Sequence, residues 1–140
     1  MGTITRTAAA TTVRRTSYGT QISVVLAVAF ALSATHTTYG WVTGLGDSSF
    51  TVTTPVAWAF YAVGFGSAVL ARSQRRGTQW LLAAYLTVLL YVALFWYPTT
   101  FTVRQQTTFG WFENDVYTGL LMLALYLVVQ RLRGVTSTPA

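Results

Sequence analysis

Four long apolar runs dominate this sequence and limit its fold more than any other feature. They cover about residues 20–39, 55–71, 79–97 and 116–132, and each is 17–20 residues long. A helix needs about 20 mainly apolar residues to cross the roughly 30 Å hydrocarbon core of a bilayer. Only 9% of the residues are charged, whereas soluble domains carry about 25%. The sequence therefore predicts an all-α integral membrane protein, a four-helix bundle made of two antiparallel hairpins.

The polar segments outside these runs divide the chain into three parts. Residues 1–17 are predicted to be a flexible basic tail, residues 18–134 the four-helix domain, and residues 135–140 a second flexible tail. The first 34 residues also have the basic start, apolar stretch and small residues of a cleavable signal peptide. The apolar stretch is long for a signal and no soluble domain follows it. We therefore favour a retained first helix.

Residues typical of helix ends flank the four runs. Thr54 and Pro55 have the N-cap and first-turn chemistry of the second helix, since proline lacks only a donor that is unpaired there. Asn114 or Asp115 is predicted to cap the fourth helix, with a carboxylate near the positive end of the helix dipole. Thr20 and Thr78 are the corresponding predictions for the first and third helices.

The arginines predict the orientation of the helices. The chain has no Lys, and eight of its nine Arg flank the runs on one side, while Arg104 alone lies on the other. Basic residues concentrate on the cytoplasmic side of membrane proteins. We therefore expect a multi-pass protein of the cell membrane with both termini in the cytoplasm. The eight are Arg6, Arg14, Arg15, Arg72, Arg75, Arg76, Arg131 and Arg133.

Two halves of the sequence resemble each other. Gly19-Thr20-Gln21 opens the first run and Gly77-Thr78-Gln79 opens the third, an offset of 58 residues. Each half then ends in a basic cluster before a glycine, at residues 74–77 and 130–134. A duplicated hairpin would give this pattern, with its copies related by an axis along the membrane normal. The alternative is coincidence in a Thr-rich chain.

The two outer loops have the composition of strands. Residues 49–53 and 100–104 alternate aromatic or β-branched residues with hydroxyl residues, which is the period of a β-strand. The two segments are predicted to pair as a small extracellular β-ribbon. Equally compatible are two loops whose aromatic residues enter the membrane interface.

Small residues on the first two helices predict where these helices pack. Small side chains let helix backbones approach closely in lipid, so we expect a close antiparallel pair. The alternative is a surface for a partner subunit. The predicted packing residues are Ser23, Ala27, Ala31, Ala34, Ala59, Ala62 and Gly66.

The third helix is rich in aromatic residues instead. Such a face is typical of a core or of an interfacial belt, and a groove for a lipid, quinone or carotenoid is the alternative. Its aromatic residues are Trp80, Tyr85, Tyr91, Phe95, Trp96 and Tyr97.

Few polar groups are available for chemistry. Arg104, Glu113 and Asp115 form a predicted polar cluster at the outer face, in which Arg104 pairs with an acid; helix capping by the acids is favoured over cation binding. His36 is predicted to lie near the outer interface, satisfied by water. No acid or arginine is predicted within the central turns of any helix, which argues against a proton-coupled transporter.

The missing residue types exclude several classes of function. Without Cys or Lys and with one His, no nucleophile, base and orienting residue can be assembled, so we expect no enzyme, metal site or cofactor. The separated Arg clusters argue against binding of nucleic acid.

The favoured function is an accessory or structural subunit of a membrane assembly, packed in the bilayer against another membrane protein or itself. Alternatives are a passive channel or carrier for a neutral or apolar solute, or a lipid, quinone or carotenoid binder. The composition favours a prokaryotic source.

Overall fold

The chain is helical wherever its structure is described. The computed structural model describes residues 3–100 and 107–136, with side chains for 18–100 and 107–134. Three helices are long and apolar enough to cross a membrane, over Tyr18–Thr43, Arg76–Thr100 and Thr108–Gly134, and a shorter apolar helix covers Pro55–Leu70. The expected all-α class is confirmed, and the apolar helices are compatible with a helical membrane bundle.

The helices follow one another as α1 to α5. Helix α1 covers Thr3–Thr43, α2 Pro55–Leu70, α3 Arg76–Tyr91 and α5 Thr108–Thr136. Between α3 and α5, a π-helical turn at Val92–Trp96 leads into the short helix α4 at Tyr97–Thr100. We call the end of the molecule with residues 71–75 the arginine end, and the end with residues 44–54 the loop end.

Local chemistry sets most of the helix ends. Thr54 is the N-cap of α2 with Pro55 in its first turn, as predicted. Helix α1 ends where Gly44 adopts a φ of 67°, a conformation that glycine adopts without strain. The predicted caps Thr20 and Thr78 are wrong, because α1 already begins at Thr3 and α3 at Arg76. The flexible tails predicted at 1–17 and 135–140 stay predictions.

The core forms where α1 lies between α2 and α5, and α5 in turn packs on α3. The core residues that α5 contributes recur every three or four positions, which places them on one face of that helix. Phe30 is fully buried at the centre of the packing. The central core residues are Ile22, Leu26, Ala29 and Phe30 of α1, Leu82, Leu86 and Leu90 of α3, and Tyr117, Leu121, Ala124 and Val128 of α5.

The two hairpins do not pack as a symmetric pair. Pseudo-twofold symmetry would make the α1–α5 contact equivalent to the α2–α3 contact. Instead α1 packs extensively on α5, while α2 and α3 barely touch. Whether the hairpin arose by duplication stays a prediction, but the packing does not have the expected axis.

The first half of the predicted β-ribbon forms turns instead of a strand. Within residues 49–53 and their neighbours, Phe50 N–H donates to the Asp47 carbonyl (3.1 Å) and Thr54 N–H to the Thr51 carbonyl (3.0 Å). The Asp47 carboxylate accepts from Ser49 N–H at 2.8 Å. These local bonds satisfy the backbone without a partner strand. The described part of the chain contains no strand, and residues 101–104 lie outside it.

Helix α2 presents a different face to α1 from the one predicted. Ala59 and Ala62, like Ala31 on α1, are exposed, and a Cβ at Gly66 would meet nothing. The contact is instead made at Gly64, because its missing side chain leaves room for the ring of Phe30.

The other predicted packing residues take intermediate positions. Ser23 is buried and accepts a hydrogen bond from Arg72 Nε at 3.2 Å. Ala27 and Ala34 are half-buried. The buried small residues of α2 lie on a different face of this helix from the predicted stripe. They are Ala57, Gly64, Ser67 and Ala68.

Candidate functional site

A cavity of about 550 Å³ opens at the loop end of the molecule. The end of α1, the 45–50 turn, the start of α2, the π turn and the start of α5 all contribute to its wall. A volume of about 300–1,000 Å³ is typical of small-molecule sites. The polar part of the lining includes Ser33, His36, Thr37, Asp47, Glu113 and Asn114, and the aromatic part Tyr39, Phe50, Phe60, Trp96, Tyr97 and Tyr117.

A buried carboxylate faces an imidazole in this lining. Glu113 Oε2 lies 3.5 Å from His36 Nδ1, and the Glu113 side chain is 5% exposed. The distance is too long for a good hydrogen bond, and His36 Nδ1 has no hydrogen-bond partner among the described residues. The His36 ring stacks on Phe109 with centroids 6.0 Å apart. The prediction of a water-satisfied interfacial His missed this pair.

The early start of α5 places Glu113 in the cavity. The helix begins at Thr108, and Gly110 N–H donates to Thr107 Oγ1 at 3.0 Å. Thr107 therefore caps α5, and the predicted caps Asn114 and Asp115 lie inside the helix. In the sequence, the polar residues 113–115 resemble the start of a helix. The signal for the actual start is Thr107, which is followed by aromatic residues in the first turn of α5.

The predicted polar cluster is divided by the structure. Glu113 turns towards His36 of α1, and Asn114 beside it is buried in the cavity wall. Asp115 is exposed and does not line the cavity. Arg104 lies outside the described residues. The polar side chains that meet at this site are therefore Glu113, Asn114 and His36, and Asp115 of the predicted cluster is not among them.

The hydroxyls near His36 are held by a tyrosine of α2. Tyr61 OH lies 2.6 Å from Thr37 Oγ1 and donates to the Ser33 carbonyl at 3.0 Å. Ser33 Oγ also lies 3.4 Å from Tyr61 OH. These bonds fix α2 against α1 at the cavity wall, and they direct the hydroxyls of Ser33 and Thr37 towards Tyr61.

The π turn widens the helix where it meets the cavity. Val92 and Trp96 lie in this turn and line the cavity, and Tyr97 N–H donates to the Val92 carbonyl, five residues back. Pro98 follows directly; a proline clashes with the carbonyl four residues earlier in a regular α-helix. The wider turn removes that clash. Single π turns are frequent at functional sites.

The predicted aromatic groove of the third helix is only partly in the cavity. Trp96 and Tyr97 line it, whereas Trp80, Tyr91 and Phe95 are between 59% and 65% exposed and lie elsewhere.

The cavity lining includes two side chains that could bind a metal ion, His36 and Glu113. No group of three or more such side chains occurs among the described residues.

A second buried charge lies at the arginine end. The Arg131 guanidinium donates to the carbonyls of Ala71 at 2.7 Å and Ser73 at 2.9 Å, and to Gln74 Oε1 at 3.0 Å. The Ala71 carbonyl lies just beyond the end of α2, where no further turn of that helix supplies a donor, and the Ser73 carbonyl also accepts from Gln79 Nε2 at 2.9 Å. Arg131 therefore joins α5 to the end of α2.

Comparison of the chain with protein-family models, curated proteins and solved structures finds no match.

Proposed function

We propose that this chain is a non-catalytic multi-pass protein of the cell membrane that binds a small amphipathic molecule in the loop-end cavity. The observation that carries the proposal is the buried Glu113 carboxyl group, which faces the half-buried His36 in the wall of a cavity of about 550 Å³. A mainly apolar pocket with a few convergent polar groups is the usual form of a small-molecule site. The apolar part would hold a lipid-like or quinone-like body, and the pair its polar group.

The membrane arrangement that we propose is a four-helix bundle. Three helices have spanning length; α2 has 16 residues and reaches about 24 Å, so it would need slight thinning of the bilayer or polar flanks near the interface. With eight of nine Arg towards the arginine end, the positive-inside rule places that end, and both termini, in the cytoplasm. The cavity then opens near the outer surface.

The arrangement of hydroxyls supports binding rather than catalysis. A nucleophilic serine or threonine needs a base within hydrogen-bond reach. The hydroxyls of Ser33 and Thr37 bond to Tyr61, and no hydrogen bond joins either of them to His36 in the described part of the chain. A subunit without ligand remains the alternative function, and no particular contact favours it over binding.

The test is native mass spectrometry of the tagged full-length protein, extracted from its host membrane in a mild detergent. Val56 lines the cavity at 62% exposure, and Val63, two turns further along α2, is 56% exposed outside it. Because both positions are exposed, tryptophan at either one leaves the core intact. We expect wild type and V63W to carry a small-molecule adduct and V56W to lose it.

Two results would contradict the proposal. Absence of any small-molecule adduct from wild type is one, and equal retention in V56W and V63W is the other. A fixed mass increment from a second polypeptide, without a small molecule, would instead identify an accessory subunit.

A further inference from the structure

We infer that the cavity selects an organic cation, with the Glu113 carboxylate as its counter-ion and aromatic rings around its apolar body. This inference rests on the proposed function, because it names the chemical class of the ligand that the cavity would hold.

The charges of the lining favour a positive ligand. Two acids, Glu113 and Asp47, line the cavity, and His36 is the one basic side chain in the described lining. No Lys occurs in the whole chain. An anionic ligand would meet two carboxylates without a permanent cation in the described wall, whereas a cation would be attracted by both.

The burial of Glu113 also favours a ligand of opposite charge. Its side chain is 5% exposed, and its nearest positive candidate is His36 Nδ1 at 3.5 Å. A neutral imidazole at that distance compensates little of the cost of burying a carboxylate. A ligand cation beside Glu113 would stabilise the ionised carboxylate, and the fold has already removed this carboxyl group from water before the ligand binds.

Aromatic rings surround the rest of the volume. Phe50 and Phe60 meet edge to face with centroids 5.5 Å apart, and Trp96 and Tyr97 approach from the π turn and α4. Ring faces attract cations, and tryptophan does so most strongly. An ammonium or phosphonium group with apolar substituents therefore matches the lining in both charge and polarity.

The experiment measures binding of radiolabelled tetraphenylphosphonium to the purified full-length protein in detergent. Radiolabelled tetraphenylborate, of the same shape and opposite charge, is the matched probe and is measured in a separate sample, because the two ions pair with each other in one solution. Glu113→Gln removes the charge and keeps the shape, and Asp115→Asn is the control, because Asp115 is exposed on the same helix outside the cavity. We expect E113Q to weaken phosphonium binding at least about tenfold, as loss of a desolvated charge partner does, and D115N to change it less than about twofold.

A second variant covers the case in which E113Q does not fold. Trp96 is 58% exposed, so Trp96→Leu leaves the core intact; we expect about a threefold loss of phosphonium affinity, the size of a cation–π contact. Binding of tetraphenylborate as tight as that of tetraphenylphosphonium would overturn the inference, as would unchanged phosphonium binding in both variants. A native adduct with no phosphonium binding would overturn the cation inference alone, whereas absence of both would overturn the proposed function as well.

Discussion

Replacing Gly64 by alanine is expected to loosen the packing of α1 on α2. A Cβ at this position would overlap the ring of Phe30 and lie 2.8 Å from its Cγ, well inside van der Waals contact. The ring cannot move away easily. It is fully buried, and it contacts the rings of Phe60 at 5.7 Å and Tyr117 at 6.2 Å between centroids.

The expected loss of stability in G64A is the balance of two opposing effects. Overpacking a buried contact costs about 1–3 kcal/mol, while alanine in place of glycine favours a helix by about 1 kcal/mol. We therefore expect G64A to lower the free energy of unfolding by up to about 2 kcal/mol. Gly66→Ala is the matched control, because a Cβ there meets nothing within 4 Å. Gly66→Ala should gain only the higher helix propensity of alanine, so the free energies of unfolding of the two variants should differ by about 1–3 kcal/mol.

Reversible unfolding in mixed micelles with increasing dodecyl sulfate, followed by helical circular dichroism, measures both variants. Phe30→Leu in the G64A background should recover part of the loss, since the smaller side chain leaves the space that the new methyl group needs. A double-mutant cycle then gives a coupling energy between positions 30 and 64. Equal stability of G64A and G66A, or strictly additive losses in the cycle, would refute the packing argument.

Two further predictions concern the arginine end and the topology. Arg131→Met should lower the free energy of unfolding by about 2–4 kcal/mol, because its charge-assisted hydrogen bonds are lost and the Ala71 carbonyl loses its side-chain donor. Arg76→Met, at an exposed position, should change the free energy of unfolding by less than about 0.5 kcal/mol. Equal effects of the two substitutions in the same micelle assay would contradict this prediction. Because the chain has no Cys, Ser48→Cys and Gln74→Cys provide single labels. An impermeant maleimide should modify the first on intact cells and the second only after permeabilisation, and the reverse pattern would invert the proposed orientation.

The helices could be predicted because their cause is local. An apolar run of membrane length has few alternatives to a helix, and Pro55 after Thr54 marks a start that the structure confirms. The start of α5 was missed by eight residues, at Thr108 instead of 116. A polar triplet resembles a cap whether it ends a loop or lies inside a helix, and the cap that Thr107 forms with Gly110 N–H shows that residues 113–115 lie inside α5.

The packing faces and the cavity depend on contacts between distant residues. Both stripes of small residues on α2 have helical spacing, and the position of the Phe30 ring determines that Gly64, not Gly66, meets α1. Nothing in the sequence next to His36 indicates Glu113, which lies 77 positions further along the chain. The pair exists because α1 and α5 are neighbours, and that pairing follows from packing rather than from local pattern.

The buried arginine and the buried glutamate of the described chain differ in the partners that the fold gives them. Arg131 is 4% exposed and donates hydrogen bonds to the Ala71 and Ser73 carbonyls and to Gln74 Oε1, so its burial serves the packing of helices. Glu113 is equally buried, and a single contact of 3.5 Å to an imidazole is its described partner. Replacing a buried charge by an apolar residue often stabilises a fold, so folding alone gives no reason for a carboxylate at this position. Because Glu113 lies in the wall of the loop-end cavity, the proposed ligand of opposite charge would supply that reason.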